Sequence, residues 1–232
     1  APASTLADVA RWAGDFVAAT TPGATDDVVS RGAEAAAALQ SLGRTLVSGD
    51  GLGAALARHA PPGDHDRVVA NALGFLWQAY DATAALIGNT LLALARTPAL
   101  REAPDLLPVA VEVARHDAPV QNTRRFVEDD GRVAGVELKR GDTILVLLAA
   151  ANRDPAANAE PARFDAARAA PRTFTFGHGP HACPGAIVAA TIAGAGVEAL
   201  LAAGVDPVAV ARGARYRPSA NIRLPLFGAG PA

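Results

Sequence analysis

The sequence predicts a mainly α-helical fold with a small antiparallel β region, on three observations. Half of the 232 residues are apolar, and alanine supplies much of that share, which suits closely packed helices with small side chains. The first hundred residues alternate long apolar runs with short Gly- and Pro-containing breaks. Residues 120–149 instead mix β-branched residues with turn residues.

The elements follow in order. Leu6 to Thr20 is predicted as one helix, ended by Thr21-Pro22-Gly23. Asp26 and Asp27 suit a helix start, and Val28 to Val47 continues from them. Ser48-Gly49-Asp50-Gly51 is a turn, followed by a short helix over Leu52 to Ala60. Pro61-Pro62-Gly63 breaks the chain before a long helix that begins near Asp64 and stops before Pro98. A short helix covers Leu106 to His116. Asp129-Asp130-Gly131 and Lys139-Arg140-Gly141-Asp142 are turns within a small antiparallel sheet. Pro-rich loops fill 152–181. A last long helix runs from Ala186 to Ala203, uncharged apart from Glu198, and a strand closes the chain near Ile222 to Leu226.

Charge excludes some functions. Twenty-one basic residues face 23 acidic ones, for a net charge of −2, so no electrostatic footprint for nucleic acid or an anionic membrane is expected. One cysteine allows no intramolecular disulfide. No basic-then-apolar leader is visible, and a cytoplasmic protein is expected. The lack of any Met, position 1 included, reads as a processed or trimmed amino terminus. Val68 to Leu94 carries a single charge, Asp81, and is long enough to span a bilayer. A carboxylate in mid-membrane is costly, and Asn71, Gln78, Asn89 and Thr90 accompany it, so the run is read as a buried central helix.

The most informative stretch is Phe174-Thr-Phe-Gly-His-Gly-Pro-His-Ala-Cys-Pro-Gly185. One cysteine, Cys183, sits among Gly and Pro immediately before an apolar helix. Pro184 suits the first helical turn, where its missing N–H costs little. Cys183 then lies at a helix amino terminus, where free N–H groups and the helix dipole favour a thiolate. A buried, inert cysteine is the plainer alternative for a lone residue of this type.

Phe176, Gly179, His181, Cys183 and Gly185 together resemble the haem-binding loop of the cytochrome P450 family. Other features resemble that family in order. They are Glu112-Val-Ala-Arg115, the segment Pro119 to Arg125, Ala151-Asn-Arg-Asp-Pro155, and Pro161-Ala-Arg-Phe164. The resemblance implies a single haem-binding domain over 1–232. Within it, 1–63 is a helical segment and 64–97 the central distal helix. Residues 98–185 carry the helix, sheet, meander and cysteine loop; 186–232 carry the proximal helix and terminal strands. The chain is little more than half of a usual member, so the implied fold lacks the family's amino-terminal helices.

Roles follow from the same resemblance. The cofactor is haem b, with Cys183 as the ligand to iron. Phe176 shields the sulfur, with Gly179 and Gly185 shaping the loop. Arg125 and His181 meet the propionates, and Glu112 and Arg115 brace the meander. On the central helix, Gln78-Ala-Tyr-Asp-Ala-Thr83 stands where the family places its acid and oxygen-activating Thr. Asp81 matches the acid. Ala82 replaces the Thr, and Thr83 lies about 100° further round the helix.

The expected activity is that of a haem-thiolate monooxygenase or peroxygenase acting on a small organic or secondary-metabolite substrate, with peroxide favoured by Ala82. Phe75, Trp77 and Tyr80 are candidate pocket residues. A ferredoxin-type electron donor is an expected partner, as is a homodimer or second chain over the haem edge. No nucleic acid and no membrane are expected. The alternative is a non-catalytic helper, or a haem-binding or sensor subunit.

Overall fold

A computed structural model describes residues 3–21, 23–48, 50–61 and 63–228. Pro22, Gly49 and Pro62, which the sequence places in breaks between helices, lie outside the described residues. The chain divides into two units, 1–80 and 81–232, and the division falls within one helix.

The first unit is helical. It comprises α1 (Ala3–Ala19), α2 (Asp26–Ser48), α3 (Leu52–His59) and the first half of α4 (His65–Arg96). Asp26 and Asp27 occupy the first turn of α2, where carboxylates complement the helix dipole. Small residues let the helices approach. A Cβ on Gly32 of α2 would stand 2.1 Å from the Ala19 Cβ, and one on Gly43 would stand 3.1 Å from Val69 Cγ1. Val47, Val68 and Val69 form a small buried cluster, with Leu56 and Leu73 packed on it.

The second unit begins with the remaining half of α4. It continues through α5 (Leu107–His116), β1 (Thr123–Phe126), β2 (Gly131–Val133), β3 (Val136–Leu138) and β4 (Thr143–Val146). Then come α6 (Leu148–Ala151), α7 (Ala186–Ala202), α8 (Pro207–Ala211), β5 (Arg215–Tyr216) and β6 (Pro225–Leu226). The strands form three antiparallel pairs, β1 with β4, β2 with β3, and β5 with β6. The β2–β3 pair is nested inside β1–β4. Its turn is Ala134-Gly135, both with positive φ, the backbone that a two-residue hairpin loop needs.

The main core is built from α4, α5 and α7. Leu86, Leu91 and Leu94 meet Val109, Val113, Ala193 and Val197 there. Helix α7 approaches α5 at Gly194, where a Cβ would come within 3.0 Å of the Leu107 nitrogen. Glu198, the one charge on α7, accepts the Leu106 N–H at 3.0 Å and so satisfies a donor at the start of α5.

Two sequence expectations need correction. The long helix is not buried throughout. Ala85, Leu86 and Leu91 to Leu94 are buried, but Phe75, Trp77 and Tyr80 are 47 %, 44 % and 39 % exposed. The first half of α4 meets the small valine cluster and touches α1 through Phe16 and Trp77, ring centroids 6.4 Å apart, and this leaves its aromatic side chains partly open. Pro184 also stands in the turn ahead of α7 rather than in its first turn, because Gly185 is the N-cap. No helix among the described residues is long and apolar enough to cross a membrane.

Candidate functional site

The cysteine loop is held at its base by buried amides and hydroxyls. Asn152, fully buried, accepts the Phe174 N–H through Oδ1 at 2.6 Å. It also donates to Thr175 Oγ1 at 2.8 Å. Thr175 in turn donates to the Ala114 carbonyl on α5 at 2.6 Å. Asn158 fastens the preceding segment, donating to the carbonyls of Asn152 and Arg172. The sequence placed Asn152 and Thr175 in family-like segments without assigning either a role, and Asn158 went unnoticed. Their visible signal was polar side chains able to serve both as donor and acceptor in a Pro-rich stretch.

Beneath this lies a buried ion pair. Arg115 Nε donates to Glu112 Oε2 at 2.8 Å, and Nη2 donates to Oε1 at 2.6 Å. Its remaining N–H groups donate to the carbonyls of Asn152, Pro161 and Arg163. The guanidinium thus spends all five donors. Glu112 Oε1 also accepts the Asp165 N–H at 2.9 Å. An i, i+3 pair on a helix is normally a surface contact, but here both side chains are buried and join α5 to residues 152–165. Next to it, His116 Nε2 donates to the Ala162 carbonyl at 2.8 Å. Its ring meets Phe164 edge-on, with centroids 5.4 Å apart. Burial holds the His116 imidazole below its ordinary value, against the opposing hydrogen bond to Ala162.

On this base the loop folds tightly. Cys183 N–H donates to the Phe176 carbonyl at 2.7 Å, Gly177 N–H to Phe174, and Ala182 N–H to Gly179. Gly177 has φ +72, and a Cβ there would lie 3.1 Å from the His181 carbonyl, so an L side chain fits neither the backbone nor the space. The result is an exposed Cys183 thiol two residues ahead of the N-cap of a 17-residue helix. The first turn of α7 carries Ile187 and Val188, which are 70 % and 57 % exposed.

The structure brings Phe176, Gly179, His181, Cys183 and Gly185 together in this loop. The Phe176 side chain packs onto the main core, while His181 is exposed. Arg125 lies on β1 opposite Ile144, and its guanidinium turns back to Thr123 Oγ1 and the Arg124 carbonyl. On α4, Asp81, Ala82 and Thr83 are partly buried, and Asp81 pairs with Arg217. Phe75, Trp77 and Tyr80 lie in the first unit. Phe75 borders a cleft of about 280 Å³ with Leu56 and Arg67. Trp77 borders another of about 310 Å³ with Leu39 and Leu73.

The donor chemistry suits a flat metal complex held from one side. It offers one accessible thiol just ahead of the exposed apolar residues Ile187 and Val188. Among the described residues, no three His, Cys, Asp or Glu side chains gather as a metal site. Arg125 and His181 are exposed groups of the kind that pair with carboxylates.

Comparison with known proteins points the same way. Residues 108–202 match the family model for cytochrome P450. A putative cytochrome P450 140 of Mycobacterium tuberculosis is 40 % identical over 155 residues, covering 61 % of this chain and 35 % of that protein. The biotin biosynthesis cytochrome P450 of Bacillus subtilis is 38 % identical over 127 residues, covering 53 % of this chain and 32 % of that protein. The 20-oxo-5-O-mycaminosyltylactone 23-monooxygenase of Streptomyces fradiae is 39 % identical over 145 residues, covering 60 % and 34 % respectively. The alignments therefore span about a third of these relatives. Among solved structures, CalO2 superposes with a TM-score of 0.73 at 29 % identity, over 97 % of this chain and 60 % of that one. A mutant of the mixed-function P450 MycG, bound to mycinamicin IV, gives 0.79 at 26 % identity, over 98 % and 61 %.

Proposed function

From a chain that belongs to the cytochrome P450 family and corresponds to the carboxy-terminal part of its members, we propose a haem-thiolate oxidoreductase that oxidises a small organic or secondary-metabolite substrate. The observation that carries the proposal is the exposed Cys183 thiol on a loop pinned to a buried Glu112–Arg115–Asn152 network. A haem, proposed to be haem b, supplies the oxidising chemistry when bound, with Cys183 as its protein ligand to iron.

The chain's own residues do the rest. The Cys183 amide is tied to the Phe176 carbonyl, which fixes the backbone from which the thiol projects. Ile187 and Val188 offer exposed apolar surface in the first turn of α7. Arg125 and His181 would hold the cofactor's carboxylates by charge-assisted hydrogen bonds, for which Arg125 would leave its bonds to Thr123 and the Arg124 carbonyl. Asp81 is the one acid of the central segment, and Ala82 has no hydroxyl with which to pass on a proton. Thr83 is displaced around the helix and is not a direct replacement. These features favour peroxide as the oxidant over molecular oxygen with an electron donor. The Streptomyces fradiae relative, named as a monooxygenase, supports a secondary-metabolite substrate.

The test is an absorption spectrum of the haem-reconstituted chain, reduced and exposed to carbon monoxide. The expected result is a Soret band at the position characteristic of thiolate ligation. Cys183→Ser should abolish that band. A chain that takes up no haem, or a serine variant with an unaltered spectrum, overturns the proposal. Turnover is then compared with peroxide and with oxygen plus a reductase. Ala82→Thr should raise the oxygen-dependent rate and leave the peroxide-dependent rate largely unchanged.

A further inference from the structure

The Asp81 carboxylate is already engaged. It pairs with Arg217, the residue immediately after β5, with 16 % of the Asp81 side chain and 37 % of the Arg217 side chain exposed. The backbone of Arg217 extends the β5–β6 ladder, its N–H donating to the Leu224 carbonyl at 2.9 Å. An acid on α4 is therefore held by the carboxy-terminal hairpin rather than by its own helix.

The same hairpin is fixed to α4 two turns further along. A Cβ on Gly88 would stand 2.5 Å from Pro225 Cγ, so the Pro225 ring packs directly on the helix backbone. Asn89 Nδ2 donates to the Arg223 and Asp117 carbonyls, both at 3.2 Å. Arg223 pairs with Asp117 and covers the Tyr216 ring, its guanidinium carbon 4.0 Å from the centroid. At this contact Pro225 is buried and the Arg223 side chain is 42 % exposed. Beyond Arg217 the residues Pro218 to Asn221 are exposed. They are tied down by Asn122 donating to the Ala220 carbonyl and Gln121 N–H donating to the Asn221 carbonyl. The Asp81–Arg217 pair thus links this exposed part of the hairpin to the acid next to Ala82.

We propose that Arg217 is a positioning residue for Asp81, fixing the direction in which its carboxylate faces and coupling that direction to the exposed hairpin loop 218–221. The chemical meaning of this coupling rests on the function proposed above. With no hydroxyl at position 82, the orientation of Asp81 alone decides where its free oxygen can hold a proton. Arg217 governs that orientation, and any ligand that shifts the loop alters it.

The experiment uses the full chain, with and without haem, as wild type, Asp81→Asn, Arg217→Gln, Arg217→Lys and the Asp81→Asn/Arg217→Gln double variant. The carboxylate carbon of Asp81 is observed by nuclear magnetic resonance, assigned by its loss in Asp81→Asn. Amide hydrogen exchange is followed over 215–224. The resonance should move in Arg217→Gln and return towards its original position in Arg217→Lys, which a purely packing role for Arg217 would not produce. Either single neutral variant should speed exchange at 215–217 by about two- to five-fold, and the double variant no further, as expected for one half-exposed pair. An unmoved resonance in Arg217→Gln, or single effects that add in the double variant, would overturn the coupling. Because both readouts work without haem, a chain that fails to bind haem but keeps the coupling refutes the proposed function alone.

Discussion

At the level of single residues, His116 shows what partial burial does. Its imidazole is held below its ordinary value of 6.5, chiefly by burial. The unfolded chain therefore binds a proton at a pH where the folded chain does not. Stability supported by neutral His116 is complete above pH 6.5 and falls as the pH drops below it, down to the lowered value of the folded state. Denaturant midpoints measured from pH 7.5 down to 5 should decline, and His116→Gln should remove part of that decline. An identical pH dependence in the variant would show that His116 is not the group responsible. Cys183, Gly179 and Gly185 were legible in the sequence because a fixed spacing marks them. The roles of Asn152 and Thr175 were not, since each acts through partners more than 20 positions away and no local pattern records such a contact.

At the level of elements, the arrangement that matters is a helix, a meander and a loop held by one ion pair. Helix α5 was predicted to within a residue of its observed limits, because its apolar spacing is regular and Pro108 marks its start. Its Glu and Arg were visible too, and the family resemblance implied that they brace the meander, as their bonds to residues 152–165 do; the local pattern alone does not distinguish such a pair from one on the surface. Removing one partner of a buried pair leaves the other charged and unsatisfied. Glu112→Gln and Arg115→Met should each cost about 3–5 kcal/mol in denaturant unfolding. The double variant should cost less than the sum, because the attraction between the two is lost only once. Gly177→Ala should cost about 1–2 kcal/mol, from the left-handed backbone at that position alone, and more if the His181 carbonyl cannot give way. A Gly177→Ala variant as stable as wild type would mean that the loop adopts another conformation. The strand pairs were less legible. Ala134-Gly135 forms the β2–β3 turn with a non-glycine residue at φ 48, whereas the sequence points to the more familiar Asp- and Gly-bearing turns on either side.

Across the whole molecule, the two units differ in what holds them together. The unit from residue 81 onward has a core that draws on α4, α5 and α7, and a buried network in which the Arg115 donors and the Asn152 side chain are satisfied. The unit up to residue 80 has a three-valine cluster, with Leu6, Val29 and Leu46 exposed by half or more of their surface or close to it. This contrast explains the misreading of α4. An apolar run of uniform composition gives no sign that its first half meets a small core and its second half a large one. The same contrast sets the expected order of opening. Local stability follows the amount of buried apolar contact and satisfied polar structure, so amide exchange should be slowest at 85–94, 109–115 and 190–197, at rates set by global unfolding. Exchange over 26–59 should be faster, and it should respond to denaturant concentrations that leave the slow set untouched. Hydrogen exchange followed by mass spectrometry resolves these segments. Equal protection throughout would mean that α1 to α3 unfold together with the rest, and that the valine cluster contributes more than its size suggests.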